Sequence, residues 1–357
     1  MYPALTVLQA LGDEANPVLW VGGENGMEAE LVTRMNIPFS GIPAAGVHGV
    51  GLGALPGNLL RLARGVRASR QILREFRPDV VLYTGGYVAV PMAWAARRYP
   101  SLLYVPDIEP GLALKMLARY SDCIALTAEE SRAYFPQKKQ PVVTGYPTRP
   151  ELSVWTRESG RKALGLAVDE PVLMVFGGSR GAHSINLALL AALPELLPHI
   201  QIVHISGQLD WPEVDAVHQA LPAEIRSKYH PYPYLHEKMG AALASADLAV
   251  SRAGASSLGE YPLFGLPAIL VPYPYAWRYQ KVNADFLAKH GAAEILEDQQ
   301  LPAALTQTVL KLMNNPTRLS QMQQAMRSLI RPQAAERLAD LLRTLASKTG
   351  KGSKTDD

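Results

Sequence analysis

Short apolar runs alternate with longer amphipathic stretches along most of this chain, and that alternation restricts the fold more than any other feature. Val18–Val21, Val80–Tyr83, Leu102–Val105, Cys123–Leu126 and Pro141–Thr144 have the length and bounding residues of strands. A second series runs Val172–Phe176, Gln201–Ile205, Leu248–Ser251 and Ala268–Pro272. Between them, Met27–Met35, Leu59–Phe76, Ala182–Leu193 and Tyr279–His290 carry helical patterns. Runs that are apolar on both faces need helices on both sides, so the pattern predicts an α/β fold with parallel sheets. A length of 357 residues suits two domains. The Pro-containing, charged stretch Gly145–Arg161 is the natural divider. It gives an expected first domain over 1–147 and a second over 148–346, its last helix packing back on the first. Residues 347–357 read as a disordered tail. Ligands of such sheets lie beyond the strand C-termini, here between the two halves.

Composition removes several function classes. The 48% hydrophobic and 19% charged content is that of a globular protein with a large core. The single cysteine, Cys123, excludes a disulfide framework and a cysteine-based zinc site, and fits a reducing compartment. The eight histidines form no His-x-x-x-His or Glu-x-x-His spacing, so no metal site is expected. His230 and His236 read as loop residues. No run of about 18 apolar residues is present, and the start carries no signal-peptide pattern. A net charge of +3 is too small to argue for nucleic acid.

The segment Ser251-Arg252-Ala253-Gly254-Ala255-Ser256-Ser257-Leu258-Gly259-Glu260 leads from a strand-like run into a helical pattern. Small residues let a backbone come close to a ligand, and the free N–H groups that open a helix favour an anion. Ser256 and Ser257 suit a cap or a phosphate donor, and Glu260 suits a ribose hydroxyl. A strand-to-helix turn with a good cap explains the same residues equally well. Gly177-Gly178-Ser179-Arg180-Gly181-Ala182 repeats the arrangement after Val172–Phe176. Its spacing is not G-x-G-x-x-G, which disfavours a dinucleotide and leaves a diphosphate or a plain tight turn. Arg149 suits a phosphate or a solvated linker. Gln280 and Asn283 open a helix, where amides suit sugar hydroxyls or simply face water. Gly85-Gly86-Tyr87 is a third Gly-rich turn, able to approach a second substrate or merely to turn the chain.

Arg61, Arg64, Arg67, Arg70, Arg74 and Arg77 recur every three or four residues within and just beyond Leu59–Phe76, opposed only by Glu75. Such a face attracts anionic lipid head groups at about 1 kcal/mol per residue, or is a solvated helix face. No aromatic residues interleave the arginines, so nucleic acid is the weaker reading.

Taken in order, Tyr2-Pro3-Ala4-Leu5, Met27-Glu28-Ala29-Glu30-Leu31-Val32, Gly85-Gly86-Tyr87, Gly177–Ala182, Ser251–Glu260 and Gln280 with Asn283-Ala284 resemble the MurG family of glycosyltransferases over nearly the whole chain. The resemblance implies a GT-B architecture, two Rossmann-like domains facing across a cleft. It implies inverting transfer of N-acetylglucosamine from UDP-N-acetylglucosamine to an undecaprenyl-diphosphate muramyl peptide, lipid I to lipid II, in peptidoglycan synthesis. It also implies no metal or other cofactor, and a peripheral place on the cytoplasmic face of the bacterial cell membrane. The expected partners are UDP-N-acetylglucosamine, the lipid-linked acceptor and the anionic membrane surface, the last held by Arg61, Arg64, Arg67 and Arg70. By the same resemblance Arg149 and Ser179 contact the diphosphate, and Leu235 and His236 border the uracil. Ala255, Ser256, Ser257, Leu258 and Gly259 line the diphosphate side. Glu260 takes the ribose, Gln280 the sugar, and Gly85, Gly86 and Tyr87 lie on the acceptor side.

Three departures bear on the acceptor half. The family's Gly-Gly-Thr-Gly-Gly-His would stand immediately before Met1 and supply a first strand and the proposed base. Its absence here carries the expectation that Met1 is a late start, and leaves Asp107 and Glu109 as candidate bases. Tyr104-Val105-Pro106-Asp107 stands where the family has His-Glu-Gln-Asn, so a carboxylate replaces a sugar-binding amide. Tyr279 replaces a glutamine. The rival readings are a related transferase with another lipid or small-molecule acceptor, a UDP-N-acetylglucosamine 2-epimerase, and an inactive UDP-sugar-binding protein if Met1 is the true start.

Overall fold

The computed structural model describes residues 1–24, 26, 28–44, 55–178, 181–274 and 279–350. Met27, Ser179, Arg180 and the tail from 351 to 357 lie outside them. The chain forms two compact units, Met1–Pro147 with Pro332–Asp357, and Thr148–Arg331.

In the first unit the elements are α1 (Tyr2–Leu11), β1 (Trp20–Gly23), α2 (Glu28–Arg34), β2 (Phe39–Ile42), α3 (Leu55–Phe76), β3 (Val81–Tyr83), α4 (Ala89–Ala95), β4 (Ser101–Val105), α5 (Leu112–Tyr120), β5 (Cys123–Leu126) and β6 (Val142–Val143). The first expected strand, Val18–Val21, forms two residues further on, and Pro141–Thr144 shortens to two residues. Strands β3-β4-β5-β6 form one parallel sheet in that order, while β1 and β2 pair separately. Successive residues of the central strands serve opposite faces. Leu103, Val105, Ile124 and Leu126 pack with Leu73, Met92 and Leu117 from α3, α4 and α5. Leu102, Tyr104 and Ala125 pack with Val7 of α1 and with Leu338, Leu342 and Leu345. Those three leucines belong to α15 (Ala334–Gly350), the last element among the described residues. Arg343 also pairs with Glu14, in the 3₁₀ turn that follows α1, at 2.7 Å.

The second unit contains α6 (Arg157–Leu164), β7 (Val172–Phe176), α7 (His183–Leu196), β8 (Gln201–Ile205), α8 (Trp211–Ala220), α9 (Ala223–Arg226), β9 (Tyr229–Tyr232), α10 (Met239–Ser245), β10 (Leu248–Ser251), α11 (Ser257–Phe264), β11 (Ala268–Leu270), α12 (Tyr279–Lys289), β12 (Ala293–Ile295), α13 (Leu301–Met313) and α14 (Pro316–Ser328). His230 is therefore a strand residue of β9, not a loop residue; its apolar neighbours are Pro and Tyr, which hide the period of two. The sheet order is β12-β11-β10-β7-β8-β9, with every neighbouring pair parallel. Leu173, Val175, Ile202, Leu248 and Val250 are at most 1% exposed, and each such aliphatic side chain contributes about 1.5–3 kcal/mol when buried. The register aligns Ser251 with Phe176 and with Leu270, and Phe176 with Ile205. Neighbouring strands thus end at one level, and the turns after β7, β8, β10 and β11 emerge side by side.

Part of the stretch read as a linker is core. Arg161 is fully buried, with Nη2 donating to Asp247 Oδ2 at 2.8 Å and Nε donating to Ser245 O at 3.2 Å. The same Asp247 oxygen accepts from the Val172 N–H at 2.8 Å, so this cation joins α6 to the edges of β7 and β10.

Candidate functional site

The turn after β10 is held from beneath. Ala253 is buried, and its carbonyl accepts from Asn283 Nδ2 at 3.1 Å. Asn283 is fully buried, so it supports the turn and does not face a sugar. Ser256 already has helical dihedrals and makes no side-chain cap, while Ser257 Oγ donates to Gly254 O at 2.6 Å. The expected serine cap is thus absent: one hydroxyl closes the turn and the other is half-exposed. The N–H groups of Ala255 and Ser256 make no hydrogen bond to a described residue. With α11 behind them they form a site of positive potential suited to an anion.

One helical turn later Glu260 is buried, and its Oε1 accepts from Arg149 Nη2 at 3.4 Å. Burial raises the carboxyl pKa above its ordinary value of 4.5, and the Arg149 guanidinium opposes that rise. Arg149 itself is placed by the 3₁₀ turn Pro150–Leu152 that follows it. Leu258 and Gly259 are buried in the same first turn of α11.

The other turns at this sheet edge are built by close backbone contact. A Cβ on Gly177 would lie 2.2 Å from Ala182 N, and one on Gly181, at φ +79°, would lie 2.2 Å from Ser206 O. Only glycine fits at either position. Asn186 Nδ2 donates to the same Ser206 carbonyl at 2.8 Å and its Oδ1 meets His204 Nε2 at 2.9 Å. Burial lowers the His204 pKa to about 3, so the ring is neutral in the fold. Ser179 lies outside the described residues, so its expected diphosphate contact has no geometry here. After β9, Leu235 is buried and His236 is exposed, its ring 4.4 Å from that of Tyr234. At the start of α12, Gln280 Oε1 accepts from the Tyr273 N–H at 2.9 Å. The amide therefore turns its oxygen to this backbone N–H and its Nε2 group the other way. Arg252 and Tyr273 were not singled out from sequence, although Arg252 lies within the central motif and Tyr273 lies between two prolines.

In the first unit Gly85 and Gly86 take φ +110° and +83°, and Tyr87 is exposed. Asp107 is half-buried. Glu109 is buried, with Oε1 3.5 Å from Lys115 Nζ. The Tyr104 hydroxyl is buried 2.8 Å from Thr127 Oγ1. On α3, Arg61, Arg64, Arg67 and Arg70 are all exposed, while Val66 and Ser69 between them are buried. Leu59 and Leu60 of α3 are exposed, as are Leu112, Met116 and Tyr120, spaced by four along α5. Among the described residues no group of three His, Cys, Asp or Glu could hold a metal ion.

Residues 1–126 match the glycosyltransferase family 28 N-terminal domain and residues 172–339 match the C-terminal domain of the same family. A protein of Roseiflexus sp. (strain RS-1) is 41% identical, over 92% of this chain and 83% of its own. One of Desulforudis audaxviator (strain MP104C) is 37% identical, over 98% and 96%. Both are named UDP-N-acetylglucosamine--N-acetylmuramyl-(pentapeptide) pyrophosphoryl-undecaprenol N-acetylglucosamine transferase. The crystal structure of Acinetobacter baumannii MurG is similar with a TM-score of 0.77 and 29% identity, covering 96% of this chain and 95% of that one. A Neisseria meningitidis UDP-GlcNAc 2-epimerase bound to UDP-GlcNAc is similar in fold alone, with a TM-score of 0.64 and 14% identity over 96% of each chain.

Proposed function

Since the chain belongs to glycosyltransferase family 28, we propose that it transfers N-acetylglucosamine from UDP-N-acetylglucosamine to the muramyl-peptide diphosphate lipid, converting lipid I to lipid II. The observation that carries this reading is the buried Glu260 in the first turn of α11, paired with the half-buried Arg149. A carboxylate there accepts from ribose hydroxyls, and the N–H groups of Ala255 and Ser256 meet the diphosphate. Fixed donors and the helix N-terminus stabilise the charge that gathers on the departing diphosphate, the part a metal plays elsewhere. In the reaction the acceptor hydroxyl oxygen bonds to the anomeric carbon as the bond from that carbon to the phosphate oxygen breaks. The electron pair leaves with UDP, and the hydroxyl proton passes to a base. Of the two candidate bases, Asp107 is half-exposed and Glu109 is buried beside Lys115, so Asp107 is the more accessible to a proton from solvent or substrate.

No helix among the described residues is long and apolar enough to cross a membrane. The arginines of α3, with the exposed apolar residues of α3 and α5, support peripheral attachment to an anionic leaflet, which for this acceptor is the cytoplasmic face of the bacterial cell membrane. The test is incubation with labelled UDP-N-acetylglucosamine and lipid I in anionic vesicles. Label should move to the lipid fraction and UDP should be released. Formation of the 2-epimer with no labelled lipid, or transfer only to a different acceptor, would overturn the assignment.

A further inference from the structure

Arg252 directly follows β10, and its side chain is only 10% exposed. Its Nη1 donates to Asp298 Oδ1 and, at 3.1 Å, to Val271 O. Its Nη2 donates to Ser184 Oγ at 2.8 Å, and that hydroxyl donates on to Asp298 Oδ1 at 2.8 Å. The guanidinium carbon lies 5.1 Å from the centroid of the Tyr273 ring, within reach of a cation–π contact. One side chain thus joins the turn after β10, the first turn of α7 and the segment that leaves β11.

That segment, Val271-Pro272-Tyr273-Pro274, carries only two backbone N–H groups because proline has none. The Val271 N–H donates to Ser251 O at 2.8 Å. The Tyr273 N–H donates to Gln280 Oε1 at 2.9 Å and so decides which end of the Gln280 amide faces outward. We propose that Arg252 is a positioning residue for the donor sugar: through Val271 O and the Tyr273 ring it aims the Tyr273 N–H, which turns the Gln280 amide to present donors. The sugar selected is then one that offers an acyl carbonyl oxygen, a stronger acceptor than a hydroxyl, on that side. The inference rests on reading this unit as the UDP-sugar site. A lysine cannot replace Arg252, since a point-charge ammonium does not span the planar fork and stack on the ring together.

The test separates nucleotide from sugar. For Arg252→Lys, UDP affinity by calorimetry should stay within about twofold, while the KM for UDP-N-acetylglucosamine rises about tenfold. Discrimination against UDP-glucose, which lacks the acetamide, should shrink with it. The Arg252→Lys/Gln280→Ala double variant should be no worse than Gln280→Ala alone. Tyr273→Ala, which keeps the N–H but removes the ring, should shift the sugar parameters in the same direction and serves if the arginine variant does not fold. Additive effects of the two substitutions, or equal losses of UDP and UDP-N-acetylglucosamine, would overturn the positioning role. Wild-type protein that binds no UDP would instead remove the reading of the site itself.

Discussion

Glu260 is held in opposed demands. Burial favours its neutral form, whereas accepting from ribose hydroxyls uses the carboxylate. Its folded pKa lies above 4.5, so stability owed to this group is fully present below the unfolded value and is lost as pH rises through the folded value. Binding runs the other way. UDP affinity should fall on acidification at a higher pH than an ordinary carboxylate allows, and Glu260→Gln should flatten that profile. The same substitution should weaken UDP binding by about 10- to 100-fold at neutral pH, the range for a lost charged hydrogen bond, without lowering the stability of the free protein. Calorimetry across pH, with a denaturant melt of each form, reads both. The type and place of Glu260 were legible in the sequence, because a carboxylate one turn into a helix is a local pattern. Its pairing with Arg149 was not, since no local pattern links positions 149 and 260. The same limit explains Asn283 and Ser257: an amide and a hydroxyl at a helix start look alike whether they face a ligand or the backbone beneath.

Among the elements, α3 was readable from its spacing, and its arginines are exposed as the period requires. Replacing Arg61, Arg64, Arg67 and Arg70 by glutamine should remove about 4 kcal/mol of attraction to anionic vesicles at low salt, at about 1 kcal/mol per charge. Sedimentation with vesicles of stated anionic content measures it, and binding unchanged by the substitutions would take the membrane role away from α3. The exposed stripe of Leu112, Met116 and Tyr120 on α5 was not foreseen, because apolar residues at helical spacing read as core unless their exposure is known. Arg161 shows the reverse error. A charged residue in a Pro-containing stretch reads as solvated, yet Asp247 and the four backbone carbonyls of Ala167, Val168, Glu170 and Ser245 surround it.

For the whole molecule, alternation of apolar runs and helices was enough for two parallel-sheet units, because strands buried on both faces must be apolar throughout. Strand order and the separation of β1-β2 from β3-β6 were not legible, since neighbouring strands are chosen by packing and not by local pattern. The register that brings the turns after β7, β8, β10 and β11 to one level is what sets several weak motifs side by side at one end of the sheet. The most direct measurement is a crystal structure of the chain with UDP-N-acetylglucosamine bound. The expected result is the ribose on Glu260 and the diphosphate on the N–H groups of Ala255 and Ser256, with Arg149 beside it. A nucleotide seated elsewhere, with its ribose away from Glu260, would contradict the assignment.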